Sequence, residues 1–412
     1  MIAVIADDLT GASDAGVHFA RRGLVTRVLF DVREPAATDQ VEVAVVDTDS
    51  RALSADAAYT RVRGIAEALR RLHPEHIYKK VDSTLRGNLG AEIDAVMDAL
   101  GYRLAIIAPA FPALGRTTRD GLHRLDGRPV HETEVGRDPK TPVRDSNVAR
   151  LLQTQSRRAA AVVSNEVVAS GAGAIWNEVE AHVQRGASLL VCDADSDAAL
   201  RAIAASGADR RDILWVGSGG LADQLAEAVG LPVLETRAAT LAGSAEPVLV
   251  VAGSASRITR RQVEALGALP HVATVKLDPS AADGTISELE RCRHELEAAL
   301  ASGQDCALVV ARGQPRVDRA SCIVDMLGSL AAHCASVGAP GGLILTGGDT
   351  ARAVCRHLGA SSFELVAEIE PGVPLGRLVG HTSTTYPAVT KAGAFGTDQT
   401  LVRALHHLKG DR

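Results

Sequence analysis

The stretch Ile2-Ala3-Val4-Ile5-Ala6-Asp7-Asp8-Leu9-Thr10-Gly11-Ala12-Ser13-Asp14 runs from apolar, partly β-branched residues into two carboxylates and then into small, helix-compatible residues. A short continuous apolar run of this kind predicts a strand buried on both faces, followed by a turn and a helix. The same unit recurs outward along the chain, at Val25 to Phe30, Val41 to Val46, Ile77 to Val81 and Leu104 to Ala108. It continues at Ile213 to Val216, Val248 to Val251, Ala307 to Val310 and Leu343 to Leu345. Alternation of such runs with longer Ala-, Leu- and Glu-rich segments of helical period is the signature of βαβ units. The fold class expected is α/β, with mainly parallel sheets flanked by helices.

At 412 residues the chain exceeds the ~150 residues of one ordinary domain, and two domains are expected. Periodicity lapses between Leu231 and Glu246, so the division is drawn there, giving domains at 1–235 and 246–412. A second aperiodic stretch, Pro109 to Val143, is dense in Gly, Pro, Arg, Thr and His. Loops of that length in compact domains are usually functional or disordered.

Hydrophobic residues make up 46% and charged residues 23%, which excludes a disordered chain, and the net charge of −6 comes without basic runs. Nucleic acid is not an expected partner. The six cysteines, at 192, 292, 306, 322, 334 and 355, have no C-x-x-C spacing, which fits neither a zinc site nor a disulfide framework. The start of the chain lacks the basic segment of a secretory signal, and no apolar run approaches a membrane span. A cytoplasmic location without membrane association is the expectation.

Ligands of open α/β sheets bind at the carboxyl ends of strands, and there the polar residues concentrate. Asp7 and Asp8 follow the first strand; one can cap a helix while the other accepts a proton. The third strand ends in Asp47-Thr48-Asp49-Ser50-Arg51, where an arginine can grip a carboxylate. The fourth gives Lys79-Lys80-Val81-Asp82-Ser83-Thr84-Leu85-Arg86-Gly87. Lysines on a strand buried on both faces need partners or a ligand; Lys80 and Arg86 suit an anion, Asp82 a proton acceptor, and an internal ion-pair network is the alternative. A small polyhydroxy acid is the implied ligand.

In the second half, Thr346-Gly347-Gly348-Asp349-Thr350 joins a strand to a helix. Glycines there let backbone N–H groups reach a phosphate, and Asp349 could hold Mg²⁺ directly or through water. Gly253-Ser254-Ala255-Ser256 and Lys391-Ala392-Gly393-Ala394-Phe395-Gly396 are companion loops of small residues. No P-loop or dinucleotide fingerprint occurs in the required context. Gly217-Ser218-Gly219-Gly220 reads better as a close-packing turn than as an anion site.

The ordered series ADDLTGASD, DTDSR, YKKVDSTLRGNLGAEI, APAFPALGRTT, VGSGGLADQLA, AGSASRITRRQ, LTGGDTA, EIEPGVPLG and KAGAFG resembles the four-carbon acid sugar kinase family across nearly the whole chain. The resemblance implies an N-terminal substrate domain, a C-terminal nucleotide domain and an active site in the cleft between them. It further implies ATP and Mg²⁺ as cofactors and phosphorylation of the terminal hydroxyl of threonate, erythronate or 3-oxo-tetronate. On it, Asp8 or Asp82 is the base, and Asp7, Arg51, Lys80, Ser83 and Arg86 face the acid. Ser254, Ser256, Gly347, Gly348, Asp349, Thr350 and Gly393 face ATP, with Asp349 on the metal. Ala394 departs from the family's Asn, which removes a side-chain contact there but not a backbone contact from Gly393. A sugar-acid dehydrogenase and a non-catalytic sensor are the competing readings. The expected partners are the acid and ATP, and a homo-oligomer is compatible with the sequence.

Overall fold

The computed structural model describes residues 1–32, 40–231, 233, 243–281, 286–311, 319–338, 340–380 and 385–410. Two compact units emerge, Met1–Glu235 and Thr236–Arg412. Most of the 231–246 stretch in which the sequence reading places a division lies outside the described residues.

The first unit begins with β1 (Ile2–Ala6), α1 (Leu9–Ala20), β2 (Thr26–Leu29), β3 (Val43–Asp47), α2 (Ala55–Arg70), β4 (His76–Lys80), α3 (Leu89–Leu100) and β5 (Leu104–Ala108). After a three-stranded excursion, β6 (Arg116–Arg119), β7 (Leu122–Leu125) and β8 (Arg128–Pro129), come α4 (Val148–Gln155), β9 (Ala160–Val163), α5 (Asn165–Ala169) and α6 (Ala172–Gln184). The unit closes with β10 (Leu189–Cys192), α7 (Asp197–Ala205), β11 (Ile213–Gly217) and α8 (Gly219–Ala228). Its main sheet has the order β2-β3-β1-β4-β11-β5-β10-β9, and every adjacent pair is parallel.

Every residue of β1, β3, β5 and β11 is buried, as the unbroken apolar runs require of strands covered by helices on both faces. Helix starts are fixed locally: Asp8 caps α1 by accepting from the Gly11 amide at 2.8 Å, and Ser54 caps α2 through Ala57. Ile5, Val46, Ile93, Val96, Met97 and Val191 share one continuous core. The Pro109 to Val143 stretch is folded, its β6-β7-β8 sheet being antiparallel and separate from the main one.

The second unit holds β12 (Val248–Ala252), α9 (Arg257–Gly267), β13 (Val272–Leu277), α10 (Ile286–Ala301), β14 (Asp305–Val310), α11 (Ala320–Gly338) and β15 (Gly342–Thr346). It ends with α12 (Gly348–His357), β16 (Ala360–Glu370), β17 (Val373–Gly380), β18 (Thr385–Lys391) and α13 (Thr400–Lys409). The order β13-β14-β12-β15-β18 is parallel throughout, and β17 and β16 extend it antiparallel. Pro371-Gly372 makes that hairpin, with Gly372 at φ 77° between the paired residues Glu370 and Val373. Both sheets match the mainly parallel α/β class read from the sequence.

The 19-residue α11 is long and apolar enough, with a mean hydropathy of 1.4, to cross a membrane by composition alone. Its apolarity arises because Ile323, Met326, Leu327, Leu330, Ala331 and Cys334 line a buried face inside the second unit.

Close packing in the first unit is unforgiving at Gly90, where an added Cβ would lie 2.6 Å from the Gln155 backbone. Helix propensity favours alanine over glycine, but overpacking typically costs ~1–3 kcal/mol. Gly90→Ala is therefore expected to lower the melting temperature, measured by calorimetry; an unchanged or raised value would mean that α3 and α4 separate freely.

Candidate active site

In the first unit, β1 lies between β3 and β4, so the turns after these three strands meet at one edge of the sheet. Arg51 joins them. Its Nε and Nη2 donate to Asp7 at 2.7 and 3.0 Å, its Nη1 and Nη2 donate to Asp8 at 2.7 Å each, and Asp82 lies 3.8 Å away. Charge-assisted, forked hydrogen bonds of this kind are the strong ones. Gly11 leaves room for the cluster, since a Cβ there would come within 2.7 Å of Asp8 Oδ1 and 3.0 Å of Lys80 Nζ.

Lys79 and Lys80 are both buried, and strand alternation sends them to opposite faces. Lys79 Nζ reaches Glu92 on α3 at 2.8 Å, and Glu92 accepts from Ser50 at 2.7 Å. Lys80 Nζ turns to Asp14 on α1 at 3.6 Å. The internal-network alternative thus describes Lys79, while Lys80 lies on the Asp8 side. Asp82 is held by Arg86 Nε at 2.8 Å, by Arg86 Nη2 at 3.2 Å and by the Thr84 hydroxyl. Arg86 also reaches Asp138 at 3.5 Å.

These contacts separate the carboxylates. Burial would raise the Asp7 carboxyl, but Arg51 and the two lysines hold it below its ordinary value. Asp82 is driven well below that range against its burial, by Arg86 first and then Arg51. Asp8 goes the other way, raised by burial and by its neighbours Asp7 and Asp82 against the pull of Arg51 and Lys80. Its side chain keeps 26% exposure against 4% for Asp7. Of the two candidate bases, Asp8 has the higher proton affinity and the more exposed side chain, 26% against 10% for Asp82.

Ser83 contributes its carbonyl, which accepts from Nε2 of His123 at 2.8 Å; Nδ1 of the same ring accepts from the Thr118 hydroxyl at 2.8 Å. A carbonyl can only accept, which fixes the tautomer. His123 was missed in the sequence because it sits in the aperiodic stretch and reaches Ser83 only through tertiary structure. Gly217 to Gly220 is the close-packing turn expected: a Cβ on Gly219 would meet Asp14 Oδ2 at 2.7 Å, and one on Gly220 would meet the Ala110 carbonyl at 2.8 Å.

In the second unit, β12, β15 and β18 are neighbours, and their three following loops converge. Ser256 caps α9 through the Thr259 amide at 3.0 Å and donates its hydroxyl to the Gly393 carbonyl at 2.5 Å. Gly393 packs so closely that a Cβ would overlap Ser254 Oγ at 1.9 Å, and Gly347 takes φ 102°. Thr350 is buried against Gly253, whose Cβ would meet its hydroxyl at 2.2 Å. Asp349 stands exposed in the first turn of α12, beside Gly348, and Ala394 is exposed. No cluster of three or more acidic, His or Cys ligands occurs among the described residues. A carboxylate in the first turn of a helix, beside a glycine turn, fits Mg²⁺ carried on nucleotide phosphates, which needs only one or two protein ligands.

Lys391 adds a cation that the sequence reading did not assign. It is buried, donates to the Thr346 hydroxyl at 3.0 Å, and has its ammonium pushed down to about 8 by burial, against the pull of Glu370.

Residues 2–225 match the sugar-binding N-terminal domain family and residues 249–401 the nucleotide-binding C-terminal domain family. The chain is 38% identical to a D-threonate kinase of Bordetella bronchiseptica, over 100% of this chain and 98% of that one. The chain belongs to the four-carbon acid sugar kinase family. A D-erythronate kinase of Heliobacterium modesticaldum is 32% identical over 99% of this chain and 97% of its own length. A 3-oxo-tetronate kinase of Methylobacterium radiotolerans is 34% identical over 97% of both chains. Among solved structures, a Salmonella typhimurium LT2 protein matches with a TM-score of 0.85 at 26% identity, covering 98% of this chain and 99% of that one. Members of this family are phosphotransferases with a hydroxyl acceptor, and the dehydrogenase and sensor readings lose their footing.

His123 makes the site's scaffold acid-sensitive. Burial pushes its ring down to about 4 from the usual 6.5, so the folded chain refuses a proton that the unfolded chain accepts. Its contribution is complete above pH 6.5 and is lost as the pH falls towards 4, a change of roughly 3 kcal/mol. Denaturant titrations across that window should show the loss, and His123→Gln should shrink it; an equal slope in the variant would assign the loss to other groups.

Proposed function

We propose that the chain is an ATP-dependent kinase that phosphorylates the terminal hydroxyl of a four-carbon sugar acid, with threonate, erythronate and 3-oxo-tetronate as the candidate substrates. The observation that carries this reading is the Arg51 cluster at the sheet's carboxyl edge. A carboxylate of raised proton affinity, Asp8, stands there among Arg51, Lys80 and Arg86. The relatives' names supply the candidate acids.

In this mechanism Asp8 accepts the proton of the terminal hydroxyl as its oxygen attacks the γ-phosphorus. The bond from that phosphorus to the ADP oxygen breaks, and ADP leaves. Asp7 and Asp82 act on their arginines: Asp7 fixes the Arg51 fork, and Asp82 fixes Arg86 with help from Thr84. Lys80, Arg51, Arg86 and the Ser83 turn set the positive potential that draws the anionic acid to this edge. In the second unit, Ser254, Ser256, the Gly347, Gly348 and Thr350 turn, and Gly393 cradle the nucleotide through close backbone approach. Asp349 would hold Mg²⁺, which would supply charge neutralisation on the phosphates. Phosphoryl transfer rests mainly on positioning and electrostatics, so the cationic groups carry more of the barrier reduction than the base. Because acid and nucleotide are assigned to different units, turnover requires a conformation in which both reach one phosphoryl group and exclude water.

The test is ADP release with ATP and Mg²⁺ across D- and L-threonate, erythronate and oxo-tetronates. Turnover of one such acid is expected, and none with any of them would sink the reading. Asp8→Asn should lower kcat by about 10²- to 10⁴-fold. Because the Asp8 carboxyl is raised, the wild-type rate should fall with acid at a pH above the ordinary carboxylate value, as the base takes up its proton. Nearly full turnover in Asp8→Asn would transfer the base role elsewhere.

A further inference from the structure

The two arginines assigned to the acid already bind the protein's own carboxylates, and Lys80 is a point charge that reaches Asp14 at 3.6 Å and offers no planar fork. Arg51 spends its fork on Asp7 and Asp8, and Arg86 spends its own on Asp82 and Asp138. A substrate carboxylate needs a donor with capacity left, because a buried carboxylate without partners is costly.

Arg116, on β6, has such capacity. Its Nη1 donates to the Leu114 carbonyl, but its Nε is buried and has no hydrogen-bond partner among the described residues. Buried donors are rarely left unmade, and the Nε donor has hydrogen-bonding capacity that a water or a ligand atom can fill. The strand geometry says where it faces. Arg116 and Thr118 are two apart and so lie on one face of the small sheet, and Thr118 pairs with His123 across β7. Thr118 bonds His123, and His123 bonds the Ser83 carbonyl. The face that carries Arg116 is therefore the face seated on the Asp82 to Arg86 turn. Asp82, Asp126 and Asp14 attract the guanidinium, and Arg86 repels it.

We infer that Arg116 is a specificity-determining residue of the site, whose guanidinium, with its Nε donor unfilled, binds the carboxylate of the sugar acid. The inference rests on the kinase reading above and deepens it. A guanidinium matches a planar carboxylate with two parallel bonds, which a lysine cannot reproduce. On this assignment the small sheet folded from the aperiodic stretch exists to deliver one arginine over the strand ends.

Calorimetric titration of the acid that the wild type turns over, without nucleotide, combined with steady-state kinetics, tests this on Arg116→Lys and Arg116→Met. Arg119→Ala, an exposed position on the same strand, is the control. Both Arg116 variants should raise Kd and KM for the acid by about 10- to 100-fold, the loss expected for a charge-assisted pair. KM for ATP should stay within about 2-fold and kcat within about 3-fold, since the contact is made before and during transfer alike. Loss of kcat with Kd for the acid unchanged would overturn the assignment and place the guanidinium on the phosphoryl group. Wild-type values throughout would overturn it as well. If Arg116→Met fails to fold, Arg116→Lys decides alone, with its melting temperature as the check. Absence of wild-type turnover with every acid sinks the kinase reading and this inference together, whereas normal wild-type turnover with unaltered variants sinks only the inference.

Discussion

The forked bonds from Arg51 to Asp7 and Asp8 are the constraint around which the first unit is arranged. Two adjacent carboxylates beside a third at Asp82 would repel one another in a partly dry site, and the guanidinium between them makes that density of charge tolerable. The bond can form only if β1 and β3 are parallel neighbours with their ends level, as the pairing of Ala6 with Asp47 makes them. It also requires glycine at 11 and 87, where side chains would press on Asp8, Lys80 and Arg51. Behind it, the Lys79 to Glu92 pair, joined to Ser50 and through it to Thr48, anchors the turn that carries Arg51. Charge at the sheet edge is thus supported by charge within the sheet.

The second unit solves a different problem with different chemistry. It gathers backbone and hydroxyl groups, brought close by glycines at 253 and 393 whose neighbours leave no room for a Cβ, and by Gly347, whose φ of 102° favours glycine. Ser256 and Thr259 both donate to the Gly393 carbonyl, and Gln262 donates to the carbonyls of Phe395 and Thr397. One helix, α9, therefore holds the last loop in place against the ends of β12 and β15. Helix N-termini at strand ends are favourable places for phosphate oxygens, and α9 and α12 both start at this edge. Lys391 supplies buried positive charge beneath it.

Much of this was legible because α/β architecture writes its ligand edge into the sequence. Each apolar run ends where polar residues begin, so Asp7, Asp8, Arg51, Lys80, Asp82 and Arg86 could be placed at strand ends before any coordinate was known. Small-residue loops after strands marked Ser254, Gly347 and Gly393 in the same way. The resemblance across ordered motifs named the family, and the near-full-length relatives agree with it. The β6-β7-β8 sheet was not legible, because its strands are too short and too polar for a period to register. With it went His123 and Arg116, whose partners lie far away in the chain.

The sequence by itself determined the α/β class, the strand ends where chemistry gathers, and the residue types available there, because burial on two faces and helix capping are local demands on local residues. Only tertiary structure decided how those residues divide their work. Strand order put Arg51 between Asp7 and Asp8, alternation sent Lys79 inward and Lys80 to the Asp8 side, and the competing charges raised Asp8 while lowering Asp82. Those are differences between identical side chains in different fields, and a field exists only once distant parts of the chain are brought together.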